Sequence, residues 1–180
     1  MRRLLAYLAL SLLAVANCAA QAAAFSEYQV KAVYLYNFSQ FVTWPSDAFS
    51  SAHAPMVIGV LGMDPFGKEL DAVVAGETAN GRPLVVRRYS EVSQIKDCQI
   101  LFIDKSEQAK LDDIVKALNG RSVLTVTDIE GAARRGVMID LVLAGDHVHM
   151  RINVAAARAS RLSLSSQLLA PAQIVGSGRQ

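Results

Sequence analysis

The sequence predicts an α/β protein: a single domain with a mixed, mostly parallel sheet flanked by helices and a late antiparallel hairpin. Three observations predict it. Short apolar runs alternate with helical segments from Met56 to Thr127, the pattern of βαβ units. Two further strand-like runs, Val137–Leu143 and His147–Ile152, are separated only by Ala144-Gly145-Asp146, which reads as a hairpin. The chain has 180 residues, 52% hydrophobic and 19% charged, enough for one sizeable core. That composition excludes disorder, collagen and a disulfide-stapled miniprotein.

The first two dozen residues belong to a different piece. Arg2 and Arg3 form a positive start, Leu4–Ala16 is apolar apart from Ser11, and small residues follow to Ala24. This is the three-part pattern of a secretory signal peptide, with cleavage expected after Ala24 and Ala22 as the other site. The apolar run is short for a membrane anchor of about 20 residues. A lipid-modified cysteine at Cys18 is disfavoured because Asn17 is a poor neighbour for it. The organisation expected is a leader over 1–24, a domain over 25–175 and a frayed tail over 176–180.

Removing the leader changes the arithmetic. The formal charge of +2 leaves with Arg2 and Arg3, so the mature domain is formally neutral. Broad electrostatic capture of nucleic acid is therefore not expected. Cys18 leaves as well, and Cys98 is then the single cysteine of an exported chain, with no disulfide expected. No later stretch is long and apolar enough to span a membrane.

The elements follow in order. Val30, Val33, Tyr34, Phe38 and Phe41 recur at helical spacing, giving a helix over Ser26–Val42 capped by Ser26 and stopped by Trp44-Pro45. Ser46–Pro55 is a loop. Met56–Leu61 is a buried strand. Asp64 is a candidate N-cap with Pro65 at the first helical position, for a helix over Phe66–Val74. Asn80-Gly81 is a turn before a strand over Leu84–Arg87. Ser90 caps a short helical turn near Val92–Ile95, and Gln99–Ile103 is the third strand. Ser106 opens a helix to Leu118, stopped by Asn119-Gly120. Ser122–Thr127 is the fourth strand, and Asp128–Arg135 a short helical stretch. After the hairpin, Asn153 caps a helix to Ala159, and Leu162–Leu169 forms a last one.

Candidate chemistry is thin. His147, His149 and Arg151 alternate and so share one strand face. Two such histidines could ligate a metal, but no third ligand is fixed by the sequence, and a solvated hairpin face explains them as well. Gly59, Gly62, Asp64 and Gly67 surround the first strand-to-helix turn, where backbone N–H groups can hold an anion. The run matches no phosphate-binding motif, and Asp64 would repel phosphate. Arg87-Arg88 and Arg134-Arg135 are basic pairs that fit either a docking patch or a solvated surface. Cys98 beside Asp97 is expected to be a small buried residue whose thiol pKa is raised by that neighbour. His53 lies in a small-residue loop, and Ser165-Ser166-Gln167 reads as helix-end polarity. There is no G-x-S-x-G. No catalytic, cofactor or metal residue is assigned, and no enzymatic activity is expected.

Several segments nonetheless occur in a familiar order. They are Tyr28-Gln29-Val30-Lys31-Ala32-Val33-Tyr34-Leu35-Tyr36-Asn37-Phe38 with Phe41-Val42-Thr43-Trp44-Pro45, then Gly59-Val60-Leu61-Gly62 with Asp64-Pro65-Phe66-Gly67. Gly81-Arg82-Pro83-Leu84, Cys98-Gln99-Ile100-Leu101-Phe102-Ile103 and Val123-Leu124-Thr125-Val126-Thr127-Asp128 follow. The series ends in Gly136-Val137-Met138-Ile139, Arg151-Ile152-Asn153 with Ala155-Ala156, and Leu164-Ser165-Ser166-Gln167-Leu168-Leu169. Together these resemble the YfiR-like family. The resemblance implies a periplasmic, non-enzymatic α/β protein that forms homodimers. It also implies a partner: an inner-membrane diguanylate cyclase, or a similar sensor, whose periplasmic part is bound and restrained, lowering cyclic-di-GMP and biofilm output. The family's redox sensitivity needs paired cysteines, which the mature chain lacks. The alternative is a small-molecule or cell-wall-fragment binding module, with a crevice near Asp64, Asp104 and Asp128 at one sheet edge.

Overall fold

The structure, a computed structural model, describes residues 26–176. The expected leader over 1–24, Phe25 and the last four residues lie outside them. The chain opens on helix α1 (Glu27–Phe41), fixed at its start by a reciprocal pair of bonds between Ser26 and Gln29. Strand β1 (Val42–Thr43) follows directly, because Trp44-Pro45 cannot continue a helix. Next come β2 (Met56–Leu61), α2 (Lys68–Val74), β3 (Thr78–Ala79) and β4 (Arg82–Tyr89). Then come β5 (Ile100–Ile103), α3 (Leu111–Leu118), β6 (Leu124–Thr127) and β7 (Ile139–Ala144). The chain ends in β8 (His147–Ile152), α4 (Val154–Ala159), β9 (Ser163–Leu164), α5 (Ser166–Leu169) and β10 (Gln173–Ile174).

Eight strands form the main sheet in the order β10-β8-β7-β6-β5-β2-β4-β3. The stretch β4-β2-β5-β6-β7 is parallel throughout. Chain order therefore reverses between β2 and β5, which is the mark of a doubly wound sheet. The β7–β8 hairpin is antiparallel and turns at Gly145, whose φ of 61° suits glycine. The predicted α/β class, mostly parallel with a late hairpin, is what the chain adopts.

The central strands are buried on both faces, which explains their unbroken apolar runs. On one face Ile58, Val60, Phe102, Val126 and Ile139 pack with α1, α2 and α5 through Leu35, Phe38, Leu70 and Leu168. On the other, Val57, Leu101 and Ile103 pack against Leu111, Ile114 and Leu118 of α3. Trp44 and Gln99 lock the amino edge: the indole N–H donates to the Gln99 carbonyl at 3.1 Å. The Gln99 side chain accepts from the Val57 N–H at 2.8 Å and donates to the Ala48 carbonyl at 2.7 Å.

Several boundaries depart from the sequence expectation. Asp64 does not cap α2; its Oδ1 accepts from the Phe66 N–H at 2.8 Å, closing a local turn, and α2 starts only after Gly67 at φ 54°. Ser106 does not open α3. Asp104 caps a 3-10 segment over Lys105–Lys110 by accepting from the Ser106 N–H, and α3 begins at Leu111. Leu162–Leu169 is not one helix; it divides into β9, which pairs with β1, and α5. Asn153 does cap α4, accepting from the Ala156 N–H at 2.9 Å.

Helix α1 is seated differently from its most obvious stripe. Val33, in that stripe, is 46% exposed, while Lys31, Ala32, Leu35, Phe38 and Ser39 are buried. The helix is apolar on both sides, so periodicity alone does not choose the inner one.

Candidate functional site

Doubly wound sheets place ligands outside the carboxyl ends of their strands, at the point where strand order reverses. In this chain that edge is occupied by its own side chains. Lys31 enters it from α1 with no exposed surface, and its ammonium donates to Asp128 Oδ2 at 2.6 Å. It also bonds Glu27 one turn earlier and lies 4.6 Å from the centre of the Tyr28 ring. The Tyr28 hydroxyl donates to the same Asp128 oxygen at 2.9 Å, and Lys105 Nζ stands 3.3 Å from it. Burial, together with the Asp128 carboxylate, pushes the Tyr28 phenol well above its ordinary value, so it remains a donor. Asp128 is thus held by three donors, and its Oδ1 has no partner among the described residues.

The neighbouring turn is equally filled. At Gly62 (φ 93°) an added Cβ would stand 2.6 Å from Ser106 Oγ and 2.9 Å from Glu107 Cγ. The Ser106 hydroxyl accepts from the Met63 N–H at 3.0 Å. Asp64, Asp104 and Asp128, expected to line a crevice, are each engaged within the fold. The glycine-bearing turn is filled by its own side chains, but the helix that follows it is not capped by Asp64 as expected, because Asp64 closes a local turn instead.

The remaining sequence candidates are dispersed. His147 and His149 are exposed on β8, while Met150 and Ile152 face the core, as the alternation implies. Among the described residues no three His, Cys, Asp or Glu side chains stand close enough to hold a metal ion. Each basic pair splits. Arg88 donates to Asp64 at 2.6 Å, to Asp71 and to the Gly67 carbonyl, while Arg87, the preceding residue of the strand, points to the opposite face. Arg135 pairs with Asp112 at 2.9 Å, and Arg134 makes no ion pair among the described residues. His53 stays in its exposed loop. Ser165 caps α5 by accepting from the Leu168 N–H, consistent with helix-end polarity. Cys98 is buried, and its thiol is pushed up to about 12. Burial is the main cause, not the Asp97 charge expected from the sequence. A buried, protonated thiol is a packing group and a poor nucleophile.

Sequence reasoning missed Lys31. A Glu27–Lys31 pair at i,i+4 reads as an exposed surface bridge, and nothing nearby announces that its cation reaches Asp128, 97 positions along the chain. The same reasoning missed the outer strip of α1, where Gln29, Val30, Val33, Tyr34 and Asn37 line a shallow, mostly apolar depression.

This is a fold whose usual ligand edge is sealed by its first helix, with no assembled catalytic set among the sequence candidates. A family model described as YfiR/HmsC-like matches residues 28–173, from the second residue of α1 to the start of β10. The chain belongs to the YfiR/HmsC-like family. Nothing among curated proteins matches it. The YfiR/HmsC-like proteins are periplasmic regulators, not catalysts. Among the described residues no helix is long and apolar enough to cross a membrane.

Proposed function

We propose that the protein is exported to the periplasm, loses residues 1–24, and binds the periplasmic part of an inner-membrane diguanylate cyclase. Binding holds the cyclase in its inactive state and lowers cyclic-di-GMP and biofilm output. The observation that carries this reading is the family match over residues 28–173, which takes in nearly the whole folded domain. The sealed carboxyl edge supports it, because it removes the crevice on which the alternative, a small-molecule or cell-wall-fragment binding module, rested. Repression requires only that the protein bind one state of the cyclase better than the other.

The outer strip of α1 suits this partner. The domain is formally neutral, so contact rests on shape and apolar area, and Val33 is 46% exposed at the centre of the strip. The protein acts as a homodimer in this reading, with Cys98 too deeply buried to link two copies.

The test is capture of the tagged mature protein from solubilised membranes, with cyclic-di-GMP measured in a deletion strain. Recovery of a cyclase, lost on Val33→Glu, and a rise in cyclic-di-GMP on deletion are the expected results. Unchanged cyclic-di-GMP with no cyclase recovered would sink the reading. Sedimentation of the purified protein as a monomer at micromolar concentration would remove the dimer.

A further inference from the structure

A row of polar side chains crosses the last strands of the sheet. Thr127 on β6, Asp140 on β7, Arg151 on β8 and Gln173 on β10 are register neighbours and therefore share a face. Over β2 and β5 that face is covered by α3. Over β7 and β8 the chain lying on it is the turn from Glu130 to Arg135, and a cleft of about 250 Å³ opens there. Glu130, Gly131 and Arg134 form one wall, Arg151 and Gln173 the other, and Asp140 is among the lining residues.

Asp140 has no exposed surface. Its Oδ2 accepts one backbone bond, from the Ala133 N–H at 3.3 Å, and its Oδ1 has no partner among the described residues. Arg151 stands directly opposite Asp140 on the neighbouring strand, yet makes no ion pair with it or with any other described residue. Arg134 is unpaired in the same way. Two free guanidiniums therefore share a cleft with a buried carboxyl that retains an unused acceptor.

We propose that this cleft binds a small hydroxylated carboxylate, of the size of a hydroxy acid or a sugar acid. The Arg134 and Arg151 guanidiniums take the ligand carboxylate, since their planar forks match its two oxygens. The exposed Gln173 amide, on the same wall as Arg151, offers a ligand hydroxyl both a donor and an acceptor. Charge narrows the class. Glu130 and Asp140 repel a phosphate dianion more strongly than a carboxylate, and the two arginines repel an amine. The volume lies below the ~300 Å³ at which drug-sized pockets begin, so the ligand is small. This site is separate from the cyclase reading, and its test does not involve a cyclase.

The probes are D-glucuronate and L-lactate, titrated into the purified protein by calorimetry and thermal shift, with glucose and inorganic phosphate alongside. The expected result is one site for at least one of the two carboxylates, with glucose and phosphate at least tenfold weaker. Arg134→Ala/Arg151→Ala abolishes that binding. Gln173→Ala weakens it about fivefold, and Arg135→Ala, whose guanidinium is already paired with Asp112, leaves it unchanged. Failure of both carboxylates, phosphate binding as tightly as they do, or binding that survives loss of both arginines would each overturn the proposal.

Discussion

Two aspartates close off neighbouring parts of the same sheet, and the fold treats them in opposite ways. Asp128, at the end of β6, receives a buried ammonium, a phenol and a second lysine on one oxygen. Asp140, one strand further on, receives a single backbone N–H. Each keeps one buried oxygen without a partner among the described residues. The difference is what lies above them. Over Asp128 the fold lays a fifteen-residue helix that carries its own cation; over Asp140 it lays a short turn. A buried charge supplied with a partner becomes part of the scaffold, whereas one left with its acceptor free marks a place where the scaffold stops.

The strongest way to break the contrast is at Lys31. Lys31→Met leaves Asp128 buried without its main partner and should cost about 3–5 kcal/mol, read by chemical denaturation. Adding Asp128→Leu should recover a large part of that loss, because an apolar pair needs no desolvation. A single variant that loses less than about 1 kcal/mol would show that the pair is not structural.

Asp140 predicts an effect of the opposite sign. Burial pushes its carboxyl above the ordinary range, and Glu130 adds to this. The Ala133 N–H, Arg151 and Arg134 pull it back. The native state then holds the proton more tightly than the unfolded chain. Stability is lost as pH rises from the unfolded carboxyl value of about 3.9 through the raised native one. Asp140→Asn does not titrate. It should raise the melting temperature at pH 7 by about 2–4 °C, the size of a 1 kcal/mol change in a domain this long, with the gain fading toward pH 4. A lower melting temperature for the variant at pH 7 would contradict the account.

Smaller effects follow at the surface. Arg88 joins Asp64, Asp71 and the Gly67 carbonyl, but it is 41% exposed, so Arg88→Ala should cost about 1 kcal/mol or less. Adding 1 M salt should change the wild type little and the Lys31–Asp128 pair least, since buried pairs are poorly screened. The smallest effect belongs to Cys98. Its thiol should resist maleimide at pH 8 until denaturant unfolds the chain.

The strands that define the fold were legible because apolar runs between glycines and prolines carry a strong signal. Met56–Leu61 matches β2 residue for residue. The two-residue strands β1, β3, β9 and β10 were not, since a ladder of two residues has no pattern to read. The inner face of α1 was misleading because both sides are apolar and the side that is buried also carries a lysine. Asp140 left a trace: it is the one charged residue in the run Val137–Leu143, which was read only as half of a hairpin. An acid inside an apolar strand calls for a named partner, and none is apparent from its neighbours in sequence.

The buried lysine also sets an order of events. Its carboxylate lies 97 positions further along the chain, so α1 cannot settle until β6 has been delivered. A chain that emerges N-terminus first carries a helix that is apolar on both sides, with a stranded cation, for much of its passage. Long sequence separation of this kind slows folding, and it keeps α1 unsettled until Asp128 has arrived. Under the proposed export, in which the chain is threaded unfolded through a narrow channel, the contact that completes the structure also postpones it.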